Sequence, residues 1–124
     1  MFDHVSIGVH DIRAAKRFYD AALSPLGHAC LSEGSDALGY GLNAVGLWIL
    51  HSAHPVVPDP DSGLHFCLTA PTRASVDAFH AAALAHGGND NGAPGVRADY
   101  APDYYAAFVT DLDGYRLEAY CTGP

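Results

Sequence analysis

The chain opens on a strict alternation of apolar and polar residues. Over residues 3–10, Val5, Ile7 and Val9 point one way and His4, Ser6, Gly8 and His10 the other, which is the period of a strand. The period then changes. Behind Asp11, a good N-cap, Ile12, Ala15, Phe18, Tyr19, Ala22 and Leu23 recur at helical spacing, and Pro25 with Gly27 stops the helix. Residues 28–33, 36–42 and 45–51 read as three short strands, with turns at Gly34-Ser35 and Asn43-Ala44. Residues 54–63 hold three prolines and no periodicity, so they read as a linker. A strand at Leu64–Ala70 follows, then a helix capped by Thr72 with an alanine-rich body over 74–86, ended by Gly87-Gly88. Residues 89–103 are turn-rich, with a short strand at most. Tyr104–Thr110 and Tyr115–Cys121 are strands joined by Asp111-Leu112-Asp113-Gly114, a strong hairpin signal.

The order is strand, helix and three strands, a linker, and then nearly the same again. Sliding the chain by 61 residues brings His4 onto His65, Phe18 onto Phe79, Ala21 onto Ala82, Ala22 onto Ala83, Leu23 onto Leu84 and Gly27 onto Gly88. The alanine matches mean little in an alanine-rich chain. The His, Phe, Leu and Gly matches share one offset and one strand-then-helix pattern. Further on, Leu47-Trp48 lines up with Leu117-Glu118, each in the last strand of its half. The expected fold is therefore α+β, one domain over 1–124. It has a first βαβββ-like module at about 1–53, a linker at 54–63 and a second module at about 64–124, with sheets curled into a cup.

Composition narrows the partners. At 124 residues, 49% hydrophobic and 16% charged, the chain suits a globular domain with its own core. Six Lys and Arg against fourteen Asp and Glu give a net charge of −8, which argues against a phosphate-backbone binder and against an anionic membrane surface. No apolar run is long enough to span a membrane, and the first residues lack the pattern of a signal peptide. The three cysteines, Cys30, Cys67 and Cys121, have no CxxC spacing, so a reduced, cytoplasmic setting is expected. Cys67 and Cys121 read as buried apolar residues on strands.

The acidic residues are twelve Asp and only two Glu, Glu33 and Glu118, and Glu118 stands inside an apolar strand. If the halves pack by pseudo-twofold symmetry, His4 and His65 face each other, with Glu118 arriving from the last strand. Two imidazoles and a carboxylate make a facial triad that suits one divalent ion: iron, manganese, nickel or zinc. A single strand histidine is more often solvated, and His10, His28, His51, His54, His80 and His86 take that reading.

These segments resemble the vicinal oxygen chelate superfamily, the glyoxalase, bleomycin-resistance and extradiol-dioxygenase group, over nearly the whole chain. Its first strand and helix match residues 3–27, with the ligand histidine at His4. Its second pair match 64–88, with the ligand at His65. Its closing hairpin matches 106–121, with Leu112 in place of a usual proline and Glu118 as the ligand glutamate. The resemblance implies a metal-dependent enzyme acting on a small molecule that chelates the ion through neighbouring oxygens, and a possible homodimer. The alternative is a metal-free protein that sequesters a small molecule, of the bleomycin-resistance type. Glyoxalases take a second glutamate from the first half, where this chain has Trp48, so the three-ligand dioxygenase or thiol-transferase pattern is the nearer one. Ser6 is similar to the hydroxyl that the thiol transferases place beside their substrate. Phe108 stands where those families often have a tyrosine, and Tyr104 is its partial substitute. Trp48 fits a cavity wall or plain core packing. Arg97 fits either a clamp for a substrate anion or a solvated loop residue. Ser6, Trp48, Arg97 and Tyr104 are thus the candidate substrate-binding set. No catalytic residue follows from the sequence.

Overall fold

Two helices, each following the first strand of its module and packing on the later ones, organise the molecule. The computed structural model describes residues Met1–Pro124. In the first module, β1 (Val5–Val9) leads to α1 (Ile12–Leu23), a 3-10 turn (Ser24–Leu26), β2 (Ala29–Glu33), β3 (Ala37–Gly41) and β4 (Val45–His51). In the second, β5 (Phe66–Thr69) leads to α2 (Arg73–Ala85), β6 (Asn89–Val96), β7 (Tyr105–Thr110) and β8 (Arg116–Cys121). The two sheets have the orders β1-β4-β3-β2 and β5-β8-β7-β6, so the tandem modules share one topology. Each has one parallel pair, β1 with β4 and β5 with β8, and is otherwise antiparallel. Both sheets stay open, with β1 and β5 as edges. No helix is long and apolar enough to cross a membrane.

Local chemistry fixes the helix ends. The Asp11 carboxylate accepts from the backbone N–H of Arg13 and Ala14 at 3.1 and 3.0 Å, and the Thr72 hydroxyl accepts from Ser75 at 3.0 Å. Caps of this kind are worth about 1 kcal/mol each. The paired glycines of the repeat have different tasks. Gly27 ends its segment at φ +91°, in the left-handed region. Gly88 instead allows close packing, since a Cβ there would lie 2.7 Å from the Phe18 ring and 2.9 Å from two carbonyl oxygens.

One continuous core spans both modules. Ile7, Val9, Phe18, Tyr19, Leu38 and Ile49 from the first half pack with Phe79, Ala83, Val109, Leu117 and Ala119 from the second. The helices touch each other, and each covers one face of its own sheet. Polar ties add to this at the β7–β8 hairpin. The Tyr19 hydroxyl donates to Asp111, the Tyr115 hydroxyl donates to the Gly8 carbonyl at 2.8 Å, and His10 pairs with Asp113 at 2.7 Å.

The turn-rich reading of 89–103 is corrected. Residues 89–96 form β6, an irregular edge strand whose register shifts twice against β7. Gly92 and Pro94 give the segment its turn-like composition, and an edge position tolerates both.

Candidate functional site

Strand alternation decides which side chains meet. Phe66, Leu68, Leu117 and Ala119 turn into the core. His65, just ahead of β5, together with Cys67 and Glu118 therefore shares the opposite face. The parallel register sets Cys67 across from Glu118, and the antiparallel one sets Phe108 across from it on the other side. The His65 Nε2 lies 3.1 Å from Glu118 Oε1. The Tyr104 hydroxyl donates to Glu118 Oε2 at 2.6 Å.

Glu118 is 3% exposed, yet its side-chain partners are one imidazole and one phenol. A carboxylate so buried is costly unless hydrogen-bonded and paired with positive charge. The spacing also fits metal chemistry. With bonds of about 2.0–2.2 Å from an ion to nitrogen and oxygen, two adjacent ligands sit roughly 3 Å apart. His65 and Glu118, in direct contact here, are thus also spaced as two neighbouring ligands of one ion would be.

Two further groups stand around the carboxylate. Burial first, and then hydrogen bonds with Glu118 and Cys67, hold the Tyr104 hydroxyl well above its ordinary value of 10.0, so it remains a proton donor. The Tyr104 ring stacks on Tyr120, with centroids 4.7 Å apart and planes at 15°, and Tyr100 meets its edge at 5.1 Å. The Cys67 thiol lies 3.9 Å from the Tyr104 hydroxyl. Partial desolvation of the sulfur by its neighbours and the Glu118 carboxylate push it up to about 11, so it is a poor nucleophile although the residue reaches solvent. Cys67 is exposed on the site face, which corrects its reading as a buried apolar residue. The strand period carried that signal, because Cys67 shares the parity of His65. Cys121 is buried as expected.

The first module contributes differently. His4 is exposed, and its Nδ1 lies 2.7 Å from Asp3 Oδ1. Within one chain no three His, Cys, Asp or Glu side chains gather closely enough to hold a metal ion. His4 therefore stands apart from the His65–Glu118 pair. Ser6 is exposed and lies across from Trp48, which is half-buried. The indole lies against Gly39, where a Cβ would approach it to 2.8 Å. Arg97 is half-buried beyond the end of β6. Its guanidinium donates to the Ala93 carbonyl at 2.7 Å and lies 5.3 Å from the Phe108 ring centre. Of the four candidate substrate-binding residues, only Tyr104 touches the pair.

A hollow of about 420 Å³ opens between β1/β4 and β5/β8. Val5, Ile7, Leu47, Phe66, Leu68 and Leu117 make most of its wall, with His65 and Cys67 at one side. Trp48 does not line it.

The chain belongs to the Glyoxalase/Bleomycin resistance protein/Dioxygenase superfamily, whose family model matches residues 1–119. It is similar to a glyoxalase/bleomycin resistance protein from Albidiferax ferrireducens T118, with 32% identity, 97% of this chain and 98% of that one covered, and a TM-score of 0.86. It is also similar to a glyoxalase family protein from Enterococcus faecalis, with 25% identity, 98% and 97% coverage, and a TM-score of 0.67. A domain from Frankia sp. EAN1pec shares the fold at 17% identity, 99% and 98% coverage, and a TM-score of 0.72. No curated protein matches the sequence.

Proposed function

We propose that the chain is a metal-dependent enzyme of this superfamily, acting on a small molecule that offers two neighbouring oxygens. The observation that carries this reading is the buried Glu118 carboxylate held 3.1 Å from His65 with no Lys or Arg against it. The pair supplies one nitrogen and one oxygen donor, and His4 of a second copy of the chain supplies the third. When bound, a divalent ion supplies Lewis-acid polarisation to a substrate's oxygens.

The chain's own residues limit the chemistry. His65 must be neutral to present its Nε2, and Glu118 must be ionised. Tyr104 keeps one oxygen of that carboxylate occupied. Trp48 cannot accept a proton, so the first module offers no glyoxalase-type base there. Ser6 and Trp48 share a sheet face with His4, while Tyr104 bonds to Glu118 and Arg97 packs on Phe108, the ladder neighbour of Glu118, and a bound substrate lies between these two walls. Arg97, already holding the Ala93 carbonyl, offers its remaining guanidinium donors to a substrate anion.

Elemental analysis of protein purified without chelators or a metal-binding tag tests the reading. The wild type is expected to carry close to one divalent ion per chain, and His65→Ala to lose most of it. Equal occupancy in the two proteins refutes the site. No metal in either moves the chain to the sequestering class.

A further inference from the structure

The geometry points to Tyr104 as the residue that positions Glu118, by occupying Oε2 so that Oε1 alone is turned toward His65. This rests on the metal reading above and adds to it a residue outside the three donors. A carboxylate has two equivalent oxygens and a free torsion, so an unrestrained glutamate presents either oxygen, or both, to an ion. Here the two are distinguished. Oε1 lies 3.1 Å from the His65 Nε2, and Oε2 accepts the Tyr104 hydroxyl at 2.6 Å, a short charge-assisted bond.

The donor is itself held. Tyr104 sits immediately before β7 and its backbone carbonyl accepts from the Arg97 N–H at 2.7 Å, which extends the β6–β7 pairing past its last ladder residue. Its ring lies flat on Tyr120, which is two residues beyond Glu118 on the same face of β8, and Tyr100 closes its far edge. The phenol is thus fixed by backbone and by stacking before any ion binds. Partners that orient a metal ligand typically contribute 10–100-fold to metal affinity. Phe108, directly across from Glu118 in the ladder, has no hydroxyl to offer, so Tyr104 is the phenol that reaches the carboxylate.

The test is cobalt(II) binding to the full-length apo protein, followed by calorimetry and by visible absorption. Tyr104→Phe keeps the ring and its stacking, and removes only the hydroxyl. Its affinity is expected to fall by about 10–100-fold, with a changed cobalt spectrum, because the freed Oε2 alters how Glu118 meets the ion. The apo form should remain folded but melt at a lower temperature than the wild type, because the variant leaves a buried Glu118 oxygen without its donor. Tyr100→Phe, which alters a neighbour with no bond to Glu118, should bind as the wild type does. Equal affinity and identical spectra for wild type and Tyr104→Phe overturn the positioning role while leaving the metal reading intact. A wild type that binds no cobalt overturns both.

Discussion

Trp48 occupies the place that Glu118 has in the other module. The two parallel ladders make the equivalence residue by residue. Val5 faces Leu47 and Ser6 faces Trp48, while 61 positions on Phe66 faces Leu117 and Cys67 faces Glu118. This relation was legible in the sequence, because the offset between the histidines and the strand pattern gave the same pairing. What surrounds the indole was not, since that depends on Gly39 one strand away. An indole offers neither a basic nitrogen nor a hard donor. The wild type is therefore expected to show no appreciable turnover of the glutathione–methylglyoxal adduct in a standard absorbance assay. Placing a carboxylate there adds a ligand to the face that carries His4. Trp48→Glu is expected to tighten divalent-metal binding by about tenfold, or ~1.4 kcal/mol, in calorimetry. Unchanged or weaker binding by a folded variant would separate residue 48 from the metal site.

The β7–β8 hairpin does more than join two strands. Asp111 is 3% exposed, and its Oδ1 accepts from the backbone N–H of Asp113 and Tyr115 at 3.0 and 2.8 Å, while its Oδ2 accepts the Tyr19 hydroxyl from α1. Burial raises its carboxyl above the ordinary 3.8, against the opposing pull of those donors. The folded chain thus holds this proton to a higher pH than the unfolded chain does. The stabilising contribution is full below the unfolded value and is lost as pH rises through the folded one. Asp111→Asn keeps an oxygen for the two amides but does not titrate. Urea unfolding at a series of pH values should therefore show the wild type losing stability relative to this variant as pH rises above the ordinary carboxylate range. Parallel profiles would remove Asp111 from the pH response. The hairpin itself was readable from Asp-Leu-Asp-Gly, but its ties to α1 and β1 were not, because they cross between modules. β6 was hidden by Gly92, Pro94 and Gly95, although the 61-residue offset carries β2 onto 90–94 and so offered a signal for it. The repeat also overstates the symmetry. Phe18 and Phe79 are both fully buried, whereas Leu23 is buried and its counterpart Leu84 is 38% exposed.

The apolar hollow lies between two unpaired sheet edges, β1 and β5, and nearby Phe2 and Leu64 are 79% and 47% exposed. Open edges and exposed apolar side chains favour burial against another surface. The candidate donors show the same incompleteness, with His65 and Glu118 together and His4 apart. Sequence reasoning could name the three residues from the repeat and the resemblance. It could not say whether one chain closes around them, because closure depends on how the two sheets are set against each other and against a neighbour. A homodimer in which His4 of one copy faces His65 and Glu118 of the other answers both observations, and its two equivalent sites follow from twofold symmetry. Sedimentation should then show a dimer at micromolar concentration. Mixing provides the sharper measurement. Neither His4→Ala nor His65→Ala alone should bind a divalent ion well. Unfolded together and refolded as an equal mixture, half of the dimers carry one copy of each. In those, one site holds both substitutions and the other holds none. The mixture should therefore recover about a quarter of the wild-type metal sites, at wild-type affinity. A mixture as poor as two poor parents would mean that the three donors belong to one chain, and a His4→Ala parent that binds as the wild type does would remove His4 from the site.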